Sequence, residues 1–360
     1  MGRDWRVDTL RGYFLVVITI DHFYNPLCRL TNYTFGYSAG PDAFHLLAGL
    51  VTGWVYTRLA DRNGFRAMGV KAYRRACMIY FAHMAVVVTC ALMALCPTLT
   101  VAKVDKYWQT VAAGAVLDTQ MGAERILPLY CVFLAFTPML LWAFSEGRAR
   151  QAAIVSAGLW VLAQFGLGSA RWGLPTLHPV GYFNVYAWQA YFVAGLYLGF
   201  RGVRHGESGV RKSHGLQLVC AMIAIFLLVD RHLALWGKQP LLQFAASPNH
   251  NPARFLDAAC LAYLVWCVPR SLDRKLMRPG ICRFFNFLGQ HSLQVVTVSL
   301  ILTKTENQLA PGLSGKMRLF VTLLNIAALW MPARLHELWL ESKRHRSRAL
   351  NPRAAEQAAG

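Results

Sequence analysis

Charge is scarce in this sequence, and negative charge is scarcest. Only 15% of the 360 residues are charged, and 17 acidic residues stand against 37 basic ones. A soluble globular domain carries about a quarter charged residues, so that class is set aside. Hydrophobic residues make up 56% and the mean hydropathy is +0.34, the composition of a membrane protein. Paired cysteines are also missing. Cys28, Cys77, Cys90, Cys96, Cys131, Cys220, Cys260, Cys267 and Cys282 lie scattered, mostly in apolar runs, with no spacing that suits zinc or thiol redox chemistry. They read as small apolar fillers, and no metal is expected. No serine sits in a nucleophile elbow, and no repeat of helix pairs or inverted halves is found. The residues after the first apolar run, Asp21-His22-Phe23-Tyr24-Asn25-Pro26, offer no small-residue cleavage site. Neither a cleaved signal peptide nor a lipoprotein anchor at Cys28 is therefore expected.

What is present is a series of apolar runs near 10–24, 42–60, 74–96, 126–145, 151–169, 183–201, 214–230, 253–269, 284–303 and 317–333. Runs of this length and number predict an all-α polytopic bundle of about ten transmembrane helices. Sorting the connecting segments onto alternate sides puts most of the Lys and Arg on the side of both termini. By the positive-inside rule both termini are cytoplasmic. Residues 1–335 then form one membrane domain and 336–360 a basic cytoplasmic tail. Arg344, Arg346 and Arg348 in that tail face anionic membrane lipid. The formal net charge of +20 is thus accounted for by topology, and nucleic acid is not expected as a partner, since no binding motif accompanies the charge.

The first apolar run holds the costliest residues. Arg11 and His22 are eleven steps apart, which brings an α-helix back to nearly the same face roughly 16 Å further along its axis. Asp21 adjoins His22. Ionisable groups inside a membrane helix cost roughly 2.5–3.5 kcal/mol each, so they are expected to work for that cost. Asp8 is placed to cap this helix, and Asn25-Pro26 to end it. The next stretch, from Arg29 to Pro41, is a polar, aromatic, glycine-rich outer loop, after which Asp42 opens the second run, where a carboxylate suits the helix dipole. The segment 97–125 reads as a further outer loop with one interfacial helix. Two more polar, aromatic outer loops are expected at 170–182, with Arg171 and His178, and at 231–252, with Trp236 and His250.

Arg3-Asp4, Arg6, Asp8, Leu10-Arg11-Gly12, Asp21-His22, Asn25-Pro26-Leu27, Arg29 and Phe35-Gly36-Tyr37-Ser38 together resemble the opening of the OpgC family. The resemblance continues through Arg74-Arg75-Ala76, Tyr80, His83, Ile126-Leu127-Pro128-Leu129-Tyr130, Phe183-Asn184, Ala187-Trp188-Gln189, Gly195-Leu196, Gly199, Leu288-Gly289 and His291-Ser292-Leu293, in order over nearly the whole chain. It implies a ten-span bacterial inner-membrane acyltransferase that succinylates osmoregulated periplasmic glucans. The spacing of Arg11 and His22 is similar to the signature of the wider transmembrane acyltransferase superfamily. Two departures from the expected pattern are Ala48, where a serine is expected, and Glu124-Arg125 before Ile126, which shift donor or acceptor preference rather than fold.

The resemblance fixes which chemistry the residues must serve. Transfer of an acyl group from a thioester to a sugar hydroxyl needs a base, an oxyanion stabiliser and exclusion of water. His22 is the best base, because imidazole titrates near neutral pH, and Asp21 or Asp42 is the expected orienter of its ring. Arg11, Arg74 and Arg75 lie on the cytoplasmic side, where arginine forks suit the phosphates of acyl-CoA, the expected co-substrate. His83 is placed along the same donor channel. On the outer side Asn25, Arg29, Asn184, Trp188, Gln189 and His291 are the expected contacts to the glucan, and Arg29 or Arg171 the cation for a carboxylated acyl tail. A transporter or flippase for a carbohydrate, plain or acylated, is the competing reading. A scaffold without catalysis leaves Asp21-His22 unexplained.

Overall fold

A computed structural model describes residues 4–94, 107–117, 126–167, 184–206, 212–233, 236–242, 252–268, 280–309 and 312–350, and every regular element among them is helical. In chain order the helices are α1 (Trp5–His22), α2 (Cys28–Tyr33), α3 (Gly40–Ala94), α4 (Tyr107–Ala115), α5 (Ile126–Ser145), α6 (Ala149–Gln164), α7 (Val185–His205), α8 (His214–Leu233), α9 (Pro252–Cys267), α10 (Gly280–Gln290), α11 (Ser292–Leu309), α12 (Gly315–Ala328) and α13 (Trp330–Leu350). Among the described residues, four stretches are long and apolar enough to cross a membrane: Gly40–Met93, Ile126–Ser145, His214–Leu233 and Gly315–Lys343. The molecule is an all-helical membrane protein.

α3 consists of two helical limbs that meet at a kink, and so supplies two of the expected runs. Gly64 interrupts it at φ 81°, a region that glycine alone enters without strain. The reversal there follows from α5: Tyr130 packs its ring on His45, while its neighbour Cys131 bonds the carbonyl of Ala76 at 3.6 Å. On a straight helix residues 45 and 76 would lie about 46 Å apart. The chain therefore folds back at Gly64, and both limbs pack on α5.

The core is built on helices pressed together through glycine. An added Cβ at Gly49 would stand 2.1 Å from the carbonyl oxygen of Phe192, and one at Gly195 2.1 Å from that of Leu46. Gly53 and Gly199 repeat the contact one turn on, each 2.3 Å from a facing carbonyl oxygen. Small residues four apart on both partners let backbones approach in membranes, where the hydrophobic effect does not drive helices together. The same device joins α1 to α10, with Gly12 against Phe285 and Gly289 against Asp8.

Three expectations are corrected. Asp4, not Asp8, caps α1: its Oδ1 accepts from the Arg6 amide at 3.0 Å, and Asp8 lies buried inside the first turn because the helix starts earlier. The run expected over 284–303 is two helices, α10 and α11, broken at His291. Before the break Gly289 sits on the Asp8 backbone, and after it Ser292 meets Arg11. The last run is likewise divided, between α12 and α13, and α13 passes unbroken through the expected boundary at 335/336. The expected interfacial helix within 97–125 is α4; Glu124 and the loop residues Arg171, His178 and His250 lie outside the described residues.

Candidate functional site

α1 ends at His22. Its Nδ1 contacts the carbonyl of Ile18 one turn back. A carbonyl only accepts, so Nδ1 carries the proton and Nε2 the lone pair. Among the described residues no hydrogen-bond partner meets Nε2, and the His22 side chain is half-buried. The backbone carbonyl of His22 accepts from Asn307 Nδ2 at 2.8 Å, and that amide is steadied by a second bond to the Thr303 carbonyl at 2.9 Å. Thr19 and Ser299 share a hydroxyl contact at 2.7 Å lower down. Arg11 donates to Ser292 lower still. These three rungs set α1 and α11 side by side and parallel.

Neither expected carboxylate touches the His22 ring among the described residues. Asp21 accepts from the Thr31 hydroxyl on α2. Asp42, fully buried, accepts from the Ala39 amide at 2.8 Å and is gripped on both oxygens by Arg254 of α9, at 3.0 and 3.1 Å. The job of fixing the imidazole tautomer falls to the Ile18 carbonyl.

Of the residues expected to bind the donor, Arg11 and Arg75 approach one place. Tyr130 of α5 lies within electrostatic reach of both guanidinium groups, and Tyr56 within that of Arg75. Arg11 leaves its Nε buried without a partner, and Arg75 spends one nitrogen on Met78 Sδ. Among the described residues neither meets a carboxylate. Arg74 instead points outward, lining with Leu59, Arg66 and Lys71 an open groove of about 820 Å³ along α3. His83 is buried and donates through Nε2 to the Gly114 carbonyl of α4 at 3.1 Å. That bond ties α4 to α3.

The acceptor-side residues divide. Asn25 is buried, with its amide spent on the carbonyls of Ile20 and Phe23 and its oxygen on the Leu27 amide. It closes the end of α1 and thereby places His22. Asn184 caps α7, accepting from Tyr186 N at 2.9 Å and donating to the Leu167 carbonyl. Gln189 clamps α7 to α6 through Ser156 at 2.7 and 2.8 Å. Trp188 is wholly buried, its ring 4.7 Å from that of His45. Arg29 is exposed beside the outer end of α1. His291 Nδ1 and His336 Nδ1 on α13 form a hydrogen bond of 2.8 Å, one ring donating and the other accepting, at the same end of the bundle as Arg11 and Ser292.

The loop between α2 and α3 is held by buried acids. Asp257 Oδ2 accepts from the amides of Tyr37 and Ser38 at 2.8 and 2.9 Å. Gly36 adopts φ +66° there, since a Cβ would stand 2.9 Å from that same oxygen. The Tyr37 phenol donates to Asp230 at 2.7 Å under the guanidinium of Arg231. Burial first, and then the Asp230 carboxylate, push this phenol above its ordinary range, so it stays a donor at any physiological pH.

Sequence reasoning passed over Arg254, Asp257, Tyr130 and His45. Only Tyr130 had a signal, through its motif; the others are single polar residues in apolar runs whose partners lie far along the chain. Among the described residues no cluster of three or more metal-ligating side chains forms.

A helical bundle with stretches long and apolar enough to cross a membrane, a half-buried histidine at one end of its first helix and Arg11 toward the other, defines a class: an integral-membrane protein with ionisable groups inside its bundle. The family is specific. A model described as OpgC protein matches residues 3–341, and the chain belongs to the OpgC family. Membership implies acyl-transfer activity. No curated protein and no solved structure matches the chain.

Proposed function

We propose that this chain is an O-acyltransferase of the bacterial inner membrane, spanning it about ten times with both termini cytoplasmic. It moves an acyl group, succinyl by family resemblance, from cytoplasmic acyl-CoA to hydroxyls of a periplasmic glucan. The observation that carries this reading is the His22 imidazole: Nδ1 committed to Ile18, Nε2 met by no hydrogen-bond partner among the described residues, on the helix face shared with Arg11.

Neutral His22 takes the proton of the acceptor hydroxyl at Nε2 as the oxygen attacks the thioester carbonyl. The tetrahedral intermediate collapses, the C–S bond breaks, and the imidazolium returns the proton to the departing thiolate. Arg11 and Arg75 hold the donor's phosphates, with Tyr130 beside them. The roughly 16 Å between Arg11 and His22 is a span for the donor's long arm, and far exceeds the reach of a four-carbon acyl tail. Phosphate, rather than the acyl carboxylate, is thus the anion assigned to the arginines. Direct transfer needs no enzyme nucleophile, consistent with the absence of an elbow serine.

The test is transfer of labelled acyl groups from acyl-CoA to glucan by purified protein. His22→Ala is expected to abolish transfer while leaving binding of CoA intact. Arg75→Ala is expected to raise the donor KM with little change in kcat, the pattern of lost ground-state binding. A His22→Ala protein that transfers at the wild-type rate ends this reading.

A further inference from the structure

Arg74 has no part in the proposed reaction. It adjoins Arg75, but consecutive helical residues point about 100° apart, and Arg75 is half-buried while Arg74 is exposed. Arg74 lines the open groove of about 820 Å³ at the α3 reversal, together with Asn63 from the limb before Gly64 and Arg66 and Lys71 from the limb after it. Elsewhere Arg6, Arg204, Arg254 and Arg334 each pair with a carboxylate. Among the described residues Arg66, Lys71 and Arg74 meet none, and no acid lines the groove. The nearby Asp61 is taken by Arg204 at 2.8 Å.

The groove runs on into a second one of about 550 Å³, which shares Val70 and Arg74 and is walled by Tyr73, Cys77, Met78 and Phe81. Val70, Tyr73, Met78 and Phe81 are all exposed, as suits a wall that meets lipid rather than water. What sets the place apart is the order along the limb. The cations gather near the turn, and from Arg74 to Phe81 the apolar wall extends seven residues, about 10 Å. Gly64 lies between two spans and so at a face of the membrane, with the wall leading from there toward the bilayer core. Arg75 is within electrostatic reach of Arg11, which puts the turn at the end of the bundle where α1 begins. A free phosphate has no use for such a wall, and a neutral headgroup has none for three cations.

We propose that this groove binds an anionic phospholipid, its phosphate held by Arg66, Lys71 and Arg74 and the upper part of its acyl chains laid along Val70, Tyr73 and Phe81. Arginine forks and the point charge of lysine both suit a phosphodiester, and a basic pocket between membrane helices is a recognised cradle for an anionic headgroup. The assignment does not need the acyl-transfer reading; under the proposed orientation the lipid belongs to the cytoplasmic leaflet. One contact joins the groove to the interior. Met78 lines it, and the Met78 Sδ accepts from Arg75 Nη1 at 3.2 Å. The groove and the proposed donor site thus share a wall and face opposite ways, and coenzyme A is the rival occupant.

The experiment reconstitutes the full chain in phosphatidylcholine bilayers with a trace of diazirine-bearing phosphatidylglycerol or phosphatidylcholine, and reads the photolabelled peptides by mass spectrometry. The phosphatidylglycerol probe is expected to label residues 70–81 about tenfold more than the phosphatidylcholine probe. Unlabelled phosphatidylglycerol is expected to displace it, and inorganic phosphate and coenzyme A are not. The groove variant Arg66→Gln, Lys71→Gln, Arg74→Gln is expected to lose about tenfold in labelling at an unchanged thermal midpoint. The tail variant Arg344→Gln, Arg346→Gln, Arg348→Gln is expected to keep it. Equal labelling by the two probes would make the groove ordinary lipid contact and overturn the assignment. A groove variant within about twofold of wild type overturns it as well. So does displacement by coenzyme A, which would return the groove to the donor, or by inorganic phosphate, which would make it a plain anion site. Equal losses in the groove and tail variants would reduce the effect to general charge attraction. Should the groove variant unfold, the contrast between the two probes on wild type decides alone.

Discussion

Asp42 shows how a single residue can be read correctly in its neighbourhood and still be missed in its purpose. Its place at the start of a helix was legible from the dipole, and the bond from Ala39 agrees. What no local pattern carries is Arg254, 212 residues away, which binds it by a two-pronged ion pair with both side chains buried. A buried pair of this kind adds little net stability over an apolar pair, yet removing one partner strands a charge. Arg254→Ala is expected to cost about 3–5 kcal/mol in unfolding in detergent. The double variant Asp42→Leu, Arg254→Met should recover most of that, and a single variant as stable as wild type would contradict the pairing.

The elements were easier to read than their breaks. The polar stretch from Asp61 to Arg75 separates two apolar runs, and the structure folds them as two limbs that reverse at Gly64. The break at His291 gives no such warning: residues on either side are apolar or helix-compatible, and the interruption is imposed by how Gly289 and Ser292 meet α1. Glycine at Gly195 and Gly199 was quoted as motif, but its physical duty is seen only across the contact with Gly49 and Gly53. Gly195→Leu should force α3 and α7 apart at a point where backbone meets backbone. The overpacking cost is expected at about 1–3 kcal/mol or more, read as a lowered thermal midpoint. Gly158→Leu, at a position where a Cβ meets nothing within 4 Å, should leave it unchanged. Equal effects at the two positions would argue against the glycine seam.

At the scale of the whole molecule the arrangement is directional. Arg11 lies toward the end of the bundle where α1 begins, and His22 stands where α1 ends; under the proposed function a substrate held by both spans much of the membrane's thickness. The charge asymmetry of the connecting segments is the basis for the proposed orientation of that axis. In a cysteine-free background Arg29→Cys is expected to react with an impermeant maleimide from the periplasmic side, and Glu146→Cys only after the membrane is opened. The reverse pattern would invert the topology. The overall class was legible from composition and run length, because a membrane imposes its constraint on every span. The site was legible only along α1, where eleven residues return a helix to one face. Its remaining members come from α3, α5, α9 and α11, and meet only through the fold.

The most direct test of the central claim, that His22 drives acyl transfer to a periplasmic glucan, is mass spectrometry of periplasmic glucans from cells expressing wild type or His22→Ala at matched membrane levels. The account predicts glucans carrying an added acyl mass with wild type, identifying the donor, and unmodified glucans with the variant. Equal modification in both would contradict it.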